Sequence, residues 1–161
     1  MLSASAWLLA LMTMQQAVAP GNVVTWDQAA ETLKKAIATN TIDTLMQGRD
    51  VLGGKAGVAM LHRDKPEGTS LVHDQATEIY YILEGSGTIV TGGSITDPKP
   101  TDLTRLGAGM SHMGQRVGGE ERKVKPKDMI IVPAGTPHAF SQLDGPISYL
   151  VFRFWADKAP K

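Results

Sequence analysis

Two imidazoles and one carboxylate stand out in the sequence as side chains that could bind a metal ion. His73 lies five residues before Glu78, and His138 lies far downstream. Neutral imidazole nitrogens and ionised carboxylate oxygens are donors from which sites for single divalent ions are built. Two histidines and one carboxylate leave open positions on an ion such as Fe(II), where substrate and dioxygen could both bind. We therefore predict a site for one divalent ion, and Fe, Mn, Zn, Ni and Cu are all compatible with these donors.

The three candidate ligands lie in separate segments that have the pattern of β-strands. Alternating side chains run from Glu78 to Glu84, just after His73, and an apolar run, Met129 to Val132, precedes His138. Side chains alternate between the two faces of a strand, so ligands on different strands can meet only inside a closed sheet. The positions of the ligands therefore predict a β-barrel around the site.

The same segments resemble two motifs of the cupin superfamily. The segment SLVHDQATEIYYILEGSG, residues 70–87, is similar to the first motif, G-x5-H-x-H-x3,4-E-x6-G, and KDMIIVPAGTPHAFSQ, residues 127–142, is similar to the second, G-x5-P-x-G-x2-H-x3-N. The matching residues are His73, Glu78 and Gly85 in the first motif and Pro133, Gly135 and His138 in the second. The resemblance covers residues 57–154. It implies an all-β fold, a small antiparallel barrel of jelly-roll type.

Three positions depart from the family pattern. Leu71 stands where the first motif has its first histidine, Lys127 where the second motif has its leading glycine, and Gln142 where it has asparagine. The leucine matters most, because it leaves three candidate ligands where the full pattern supplies four. Three protein ligands are nevertheless enough for catalysis when the other positions on the ion stay open.

The composition indicates a single domain, gives no sign of nucleic-acid binding, and excludes sites that depend on cysteine. The 161 residues fit one domain with a single core. Sixteen basic and sixteen acidic residues cancel, so no excess of positive charge indicates a nucleic-acid partner. The absence of cysteine excludes disulfides and thiolate ligands, so any bound metal must take nitrogen and oxygen donors.

Residues 1–19 have the pattern of a secretory signal peptide. Ala6 to Met14 is a short apolar run, and Ala17-Val18-Ala19 supplies the small residues that signal peptidase accepts before Pro20. The segment contains no Lys or Arg, and a non-cleaved anchor or an ordinary apolar helix are the alternatives. We expect cleavage near Pro20, a periplasmic or secreted mature protein, and no stable membrane association after cleavage.

Residues 20–56 form a predicted N-terminal helical segment. A helix is predicted over Thr25 to Ala38, because Thr25 and Gln28 have the spacing of a capping box and apolar residues recur on one face. The residues of this face, which should pack against the barrel, are Trp26, Ala29, Ala30, Leu33 and Ile37. Residues 40–48 are interpreted as a second short turn of helix that ends at Gly48.

Residues 57–161 have the texture of an antiparallel β domain. Short apolar runs alternate with turn residues, which is typical of strands joined by tight connections rather than by helices. The predicted strands cover residues 57–62, 78–84, 88–91, 129–132, 139–142 and 147–155, with at least one more in residues 110–125. Residues 92–109 hold prolines and several glycines, and they are interpreted as a surface insertion of the kind that often borders a site.

Alternation along the predicted strands indicates which side chains share a face with the ligands. Phe140 and Gln142 should lie on the face of His138, and Tyr80 on the face of Glu78. Tyr80, Phe140 and Gln142 therefore form a predicted substrate pocket. The alternative for the two aromatic residues is that they fill the core.

Other polar residues could complete the set of ligands. His62 or His112 could supply a fourth nitrogen, and Gln75 could supply an oxygen. The alternative for both histidines is a solvated ring with no role in the site.

A buried Glu78 would need a positive partner, because an unpaired carboxylate is costly to bury. No Lys or Arg lies beside Glu78 in the local sequence. Arg105, Arg116 and Arg153 could bind an anionic substrate, but a lone arginine is by default a surface charge. A divalent ion is therefore the predicted partner of Glu78.

Three classes of function remain open. The resemblance implies a metal-dependent enzyme that acts on a small organic molecule, like the cupin dioxygenases, isomerases and lyases, and it also implies a homodimer. The alternatives are an exported, non-catalytic protein that binds a small molecule or a metal in the same pocket, and a structural module. Small β-barrels host many unrelated functions, so the fold does not choose among these classes.

Overall fold

The structure, a computed structural model, describes residues 20–51 and 53–156. This part of the chain contains one α-helix, one short 3-10 helix and eleven β-strands. The helix α1 is Trp26–Thr39, and the strands are Asp43–Val51 (β1), Gly54–Arg63 (β2), Ser70–His73 (β3), Ala76–Glu84 (β4), Gly87–Thr91 (β5), Ser94–Leu103 (β6), Gly109–Val117 (β7), Glu120–Val124 (β8), Met129–Val132 (β9), His138–Leu143 (β10) and Ile147–Ala156 (β11). The 3-10 helix is Thr104–Leu106. The predicted signal peptide, residues 1–19, lies outside the described residues.

The strands form two antiparallel sheets around a common core. The five-stranded sheet has the order β1-β2-β11-β4-β9, and the six-stranded sheet has the order β6-β7-β3-β10-β5-β8. Most neighbours within each sheet are distant in the sequence, as in a jelly roll. The predicted all-β barrel with one N-terminal helix is confirmed.

Aromatic and branched side chains from both sheets fill the space between them. The buried cluster comprises Ala59, Leu61, Tyr80, Ile82, Ile89, Val124, Val132, Phe140, Ile147, Tyr149 and Val151. The ring centroids of Phe140 and Tyr149 lie 5.3 Å apart, and those of Tyr80 and Tyr149 lie 5.0 Å apart. Phe140 belongs to the six-stranded sheet and both tyrosines to the five-stranded sheet, so these rings join the two layers. Burial of one such side chain contributes about 2–3 kcal/mol to stability.

Thr25 begins the helix, as predicted. Its hydroxyl accepts a hydrogen bond from the backbone N–H of Gln28, and the Gln28 side chain accepts one from the backbone N–H of Thr25. Ala29 and Ala36 are buried, whereas Trp26 is 62% exposed, so fewer residues of the helix contact the sheet than the predicted apolar face contains.

No helix among the described residues is long and apolar enough to cross a membrane.

The predicted second turn of helix at residues 40–48 is wrong, because most of this stretch belongs to β1. Asp43 pairs with Leu61, and Val51 pairs with Gly54, across the antiparallel β1–β2 hairpin. A helix this short is marginal by itself, and backbone hydrogen bonds to β2 outweigh its weak local preference. The N-terminal segment therefore contributes a strand to the barrel as well as the helix.

The prediction of a surface insertion at residues 92–109 is wrong for most of its length. Ser94–Leu103 form β6, which lies at the edge of the six-stranded sheet and pairs with β7. Pro98 and Pro100 have no N–H to donate, which an edge strand tolerates. The pairing is interrupted next to Asp97, which has a left-handed φ of 49°. The two prolines and this bulge removed the alternation by which a strand is normally predicted.

Lys127 adopts a backbone conformation that glycine normally occupies. Its φ is 78°, in the left-handed region, where a residue with a Cβ atom costs about 1–2 kcal/mol. The backbone N–H of Lys127 donates to the carbonyl oxygen of Ile82 at 2.8 Å, which ties the turn before β9 to β4. Glycine, which stands at the corresponding position of the second motif, adopts this conformation without that cost.

Candidate metal site

The barrel brings His73, Glu78 and His138 together. His73 ends β3 and His138 begins β10, both in the six-stranded sheet, whereas Glu78 lies in β4 of the five-stranded sheet. The exposed fractions of the three residues are 3%, 1% and 4%. One ligand atom from each residue lies within 4.8 Å of the other two. The site is therefore enclosed between the two sheets.

Both imidazoles present their Nε2 atoms to the Glu78 carboxylate. His73 Nε2 lies 3.3 Å from Glu78 Oε1, and His138 Nε2 lies 3.6 Å from Glu78 Oε2. The centroids of the two imidazole rings are 5.2 Å apart. Two nitrogens that converge on one carboxylate are the donor chemistry of a site for a divalent ion.

The outer nitrogen of each imidazole is held by a second group. His138 Nδ1 lies 3.0 Å from the backbone carbonyl oxygen of Thr136. A carbonyl oxygen can only accept, so Nδ1 carries the hydrogen and Nε2 carries the free lone pair. His73 Nδ1 lies 2.8 Å from the hydroxyl of Ser111, which is buried. Such partners fix the orientation of metal-binding histidines, so these donors fit a metal ion.

The protonation states also fit a metal ion. Burial lowers the pKa of His138 below its ordinary value of 6.5, although the charge of Glu78 opposes this shift. His138 is therefore neutral near pH 7 and can donate to a metal without first losing a proton. Burial by itself would raise the pKa of Glu78, but the contacts of its carboxylate with His73 and Arg153 hold the pKa well below its usual range. Glu78 is therefore ionised.

Arg153 supplies a positive partner for Glu78 that the sequence analysis did not find. Its Nε donates a hydrogen bond to Glu78 Oε1 at 2.7 Å, and the residue is 2% exposed. The prediction that Arg153 is a surface charge is therefore wrong. The partner was missed because it lies 75 residues from Glu78 in the sequence, whereas the β11–β4 register places the two residues directly opposite each other.

Asp43 and Leu106 hold Arg153 from the other side. The two terminal nitrogens of the guanidinium donate to the two carboxylate oxygens of Asp43, and Nη1 also donates to the carbonyl oxygen of Leu106. Burial raises the pKa of Asp43, and Arg153 opposes that rise. Burial acts against the charge of Arg153, but Asp43 and Glu78 outweigh it and raise the pKa of the guanidinium. Asp43, Arg153 and Glu78 thus form a buried ion cluster of two carboxylates and one guanidinium, in which Glu78 also contacts the imidazoles.

Tyr80 contacts the second oxygen of Glu78. Its phenolic O–H donates to Glu78 Oε2 at 2.8 Å. Burial and the charge of Glu78 raise the pKa of Tyr80 well above its ordinary value of 10.0, so the phenol keeps its proton. The Tyr80 ring also lies edge-on to His138, with 6.3 Å between centroids.

The three residues of the predicted substrate pocket do not all face the site. Tyr80 contacts Glu78, and Phe140 is buried in the core. Gln142 is exposed, because the β10–β5 register shifts between Phe140 and Gln142. This bulge breaks the alternation that was expected to place Gln142 beside His138.

An apolar residue occupies the position of the missing motif histidine. Leu71 pairs with His138 across β3 and β10, and it lies two residues before His73, on the same face of β3. A histidine there would add a nitrogen beside the three candidate ligands, which leucine cannot do. Among the described residues, the group of metal-binding side chains that converge consists of His73, Glu78 and His138.

The other candidate donors have different partners. His62 Nδ1 lies 3.0 Å from Ser148 Oγ, and His112 Nδ1 lies 2.9 Å from Asp74 Oδ1. Gln75 is half-buried in the turn between β3 and β4. Neither histidine belongs to the converging group, so the described residues offer no fourth histidine ligand.

The residues at the site that sequence reasoning missed are Arg153, Asp43 and Ser111. Tyr149 and Val151 precede Arg153 at alternate positions of β11, and both are buried. An arginine on an otherwise apolar strand face was the available signal for a buried ion pair. Asp43 and Ser111 had no such signal, because their contacts depend on the pairing of distant strands.

A separate cavity lies between α1 and the outer face of the five-stranded sheet. Its volume is about 620 Å³, and its lining includes Trp26, Val58, Phe152 and Phe154. None of the three candidate ligands lines this cavity. The largely apolar cavity is therefore distinct from the candidate metal site.

The family model for cupins matches residues 27–146 of the chain. The chain belongs to the cupin family. The match agrees with the resemblance of the two motifs and with the two-sheet architecture. No curated protein matches this cupin.

Solved structures similar to this cupin share little sequence with it. An uncharacterized conserved protein with a double-stranded β-helix domain from Klebsiella pneumoniae is 13% identical, with a TM-score of 0.46 and coverage of 76% of this chain and 88% of that chain. A cupin 2 conserved barrel domain protein from Rhodopseudomonas palustris is 15% identical, with a TM-score of 0.44 and coverage of 74% and 62%. The DMSP lyase DddQ from Ruegeria pomeroyi is 20% identical, with a TM-score of 0.42, and the match covers 68% of this chain and 42% of that chain. This cupin thus spans less than half the length of that lyase.

Proposed function

We propose that this cupin binds one divalent metal ion through His73, Glu78 and His138. The observation that carries the proposal is the hydrogen bond from His138 Nδ1 to the Thr136 carbonyl, which leaves Nε2 as a neutral donor 3.6 Å from Glu78 Oε2. Three donors enclosed between two sheets would separate the ion from bulk water. Positions on the ion that the protein does not occupy stay open to other ligands.

We further propose that the ion serves a reaction on a small organic molecule, of the dioxygenase, isomerase or lyase type. A bound ion would supply a Lewis acid that polarises an oxygen atom of the substrate. The phenolic O–H of Tyr80 donates to Glu78 Oε2, with 2.8 Å between the two oxygens, so Tyr80 can hold the carboxylate in place beside the site. Burial of these groups excludes water and strengthens their hydrogen bonds.

Metal analysis of untagged protein purified without a chelator tests metal binding. We expect a stoichiometric amount of one divalent metal, which EDTA removes and added metal restores. His138→Ala should abolish stoichiometric binding, and Glu78→Gln should weaken it strongly, because only neutral donors remain for a doubly charged ion. His62→Ala is the matched control, since His62 also contacts a buried serine but lies outside the site. A full equivalent of metal in His138→Ala would contradict the assignment of His138 as a metal ligand.

The ion pair between Arg153 and Glu78 favours a second candidate function, a non-catalytic cupin that binds a small molecule without metal. Arg153 neutralises Glu78, and Tyr80 donates to its other oxygen. The buried carboxylate is therefore satisfied by protein groups alone. Native protein without metal, which also fails to bind added Zn²⁺, Mn²⁺ or Fe²⁺, would favour this candidate over the enzyme.

We also propose that the mature protein is periplasmic or secreted and forms a homodimer. The support for export is the signal-peptide pattern of residues 1–19. The support for the dimer is the cupin resemblance. Light scattering after size-exclusion chromatography measures the mass in solution, and a monomer at micromolar concentration would contradict the dimer.

A further inference from the structure

Arg153 places a fixed cation beside the candidate metal site. Its Nε lies 2.7 Å from Glu78 Oε1, the same oxygen that lies 3.3 Å from His73 Nε2. An ion bound by His73 and Glu78 would share this carboxylate with the guanidinium, and two positive groups at one carboxylate repel each other. Arg153 and a divalent ion therefore compete for Glu78.

Asp43 and Leu106 keep Arg153 in place independently of Glu78. The side chains of Arg153 and Asp43 are 3% and 15% exposed. Of the four hydrogen bonds that the guanidinium donates, two go to Asp43 and one to the carbonyl oxygen of Leu106. Because these three contacts do not involve Glu78, they would keep the guanidinium in place if an ion bound to the Glu78 carboxylate.

The charges of the cluster determine how strongly it attracts a cation. Glu78 and Asp43 each contribute a negative charge, and Arg153 contributes one positive charge. The cluster therefore retains one negative charge when the imidazoles are neutral. Leu71 also removes the nitrogen that the full motif would supply. Fewer ligands and a nearby cation both weaken the binding of a divalent ion.

We propose that Arg153, positioned by Asp43, is an internal counter-cation that competes with the divalent ion for Glu78 and lowers the affinity of the site for metal. The inference rests on the proposed function for the identity of the ligands. It makes Arg153 a positioning residue that sets the affinity of the site, rather than a metal ligand.

Three proteins that differ in the charged groups of the cluster test the proposal: the wild type, Asp43→Asn, and the double variant Arg153→Met/Asp43→Asn. Competition with a chromophoric chelator gives Kd for Zn²⁺ and for Mn²⁺ after EDTA treatment. The double variant frees Glu78 of the guanidinium, so binding should tighten by about tenfold or more. Asp43→Asn keeps the guanidinium but removes its second carboxylate, so binding should weaken by about tenfold.

The exposed pair of Arg122 and Glu120 provides a matched control. Arg122 Nη2 lies 2.5 Å from Glu120 Oε1, and the two side chains are 69% and 65% exposed. The variant Arg122→Met/Glu120→Gln removes the same kinds of charge from the surface. Both Kd values should stay unchanged, because water and salt screen charges at the surface.

The outcomes separate this inference from the proposed function. Tighter binding by the double variant together with weaker binding by Asp43→Asn supports the counter-cation. Equal or weaker binding by the double variant overturns it, even when the wild type binds metal as proposed. Binding by the double variant alone supports the counter-cation and contradicts metal binding by the wild type, whereas no binding by any of the three proteins overturns both.

The stability of the variants is measured alongside their affinity. Circular dichroism and urea unfolding show whether the double variant is folded. If the double variant is unfolded, the Kd of Asp43→Asn tests the proposal by itself, since this nearly isosteric change leaves Arg153 in place. Unchanged or tighter binding of Zn²⁺ by Asp43→Asn would then overturn the proposal.

Discussion

Ser111 Oγ lies 2.8 Å from His73 Nδ1, and both residues are buried. The register of β3 and β7 places the two residues directly opposite each other. The same kind of contact occurs outside the site, where Ser148 Oγ lies 3.0 Å from His62 Nδ1. Substitution of each serine therefore distinguishes two effects: loss of the group that orients a candidate ligand histidine, and loss of a buried hydroxyl elsewhere in the barrel.

Ser111→Ala should weaken metal binding roughly 10- to 100-fold, because a ligand imidazole that loses the partner of its outer nitrogen is less well oriented. Ser111→Ala and Ser148→Ala should each lower the free energy of unfolding by about 1 kcal/mol, but Ser148→Ala should leave the metal Kd unchanged. Chelator competition measures the Kd, and urea unfolding measures stability. An unchanged Kd in Ser111→Ala would show that Ser111 does not orient the ligand.

The chelator-treated protein should lose stability as the pH falls below about 6.5. Burial lowers the folded-state pKa of His138 from 6.5, so the unfolded chain binds a proton that the folded protein does not. A group with a lowered folded pKa contributes stability above its unfolded pKa, and this contribution is lost as the pH falls. The pKa of Glu78 is also lowered, from 4.5, so it acts with the same sign in a more acidic range.

Urea unfolding at a series of pH values measures this loss. Each such group changes the free energy of unfolding by at most about 1.4 kcal/mol per pH unit. His138→Gln should flatten the dependence between about pH 7 and pH 5, where histidine titrates. The same slope in the wild type and in His138→Gln would mean that His138 is not its source.

Gly85 and Gly135 should respond differently to substitution by Ala. Both have a φ of 78°. A Cβ atom at Gly85 would lie 2.1 Å from the carbonyl oxygen of Pro146, whereas a Cβ atom at Gly135 would meet no heavy atom within 4 Å. Gly135→Ala should cost about 1–2 kcal/mol from the left-handed backbone alone. Gly85→Ala should cost clearly more, and equal losses in chemical denaturation would contradict this steric explanation.

The mature protein from its native host should begin at Pro20 or within a few residues of it. Ala17-Val18-Ala19 supplies the small residues that signal peptidase requires before the cleaved bond. Intact-mass measurement of the exported fraction identifies the first residue. A chain that retains Met1 and stays in the cytosolic fraction would contradict export.

The sequence by itself determined those features that depend on neighbouring residues or on motif spacing. The capping box of Thr25 and Gln28 acts within a single turn, and the structure confirms it. Alternation predicted the central strands, and two motifs identified His73, Glu78 and His138, which the structure brings within 4.8 Å of one another. Residue type and spacing were sufficient for these predictions, because a strand and a ligand set both have local signatures.

Only the tertiary structure decided the charges around the carboxylate. Arg153 is 75 residues from Glu78 and 110 residues from Asp43 in the sequence. Their contacts depend on the register of β11 against β4 and on the strand β1, which local pattern mispredicted as helix. A register shift of one residue would turn Arg153 to the opposite face of the sheet. The sequence therefore determines that two imidazoles and a carboxylate are present, whereas the pairing of distant strands decides which cation the carboxylate meets.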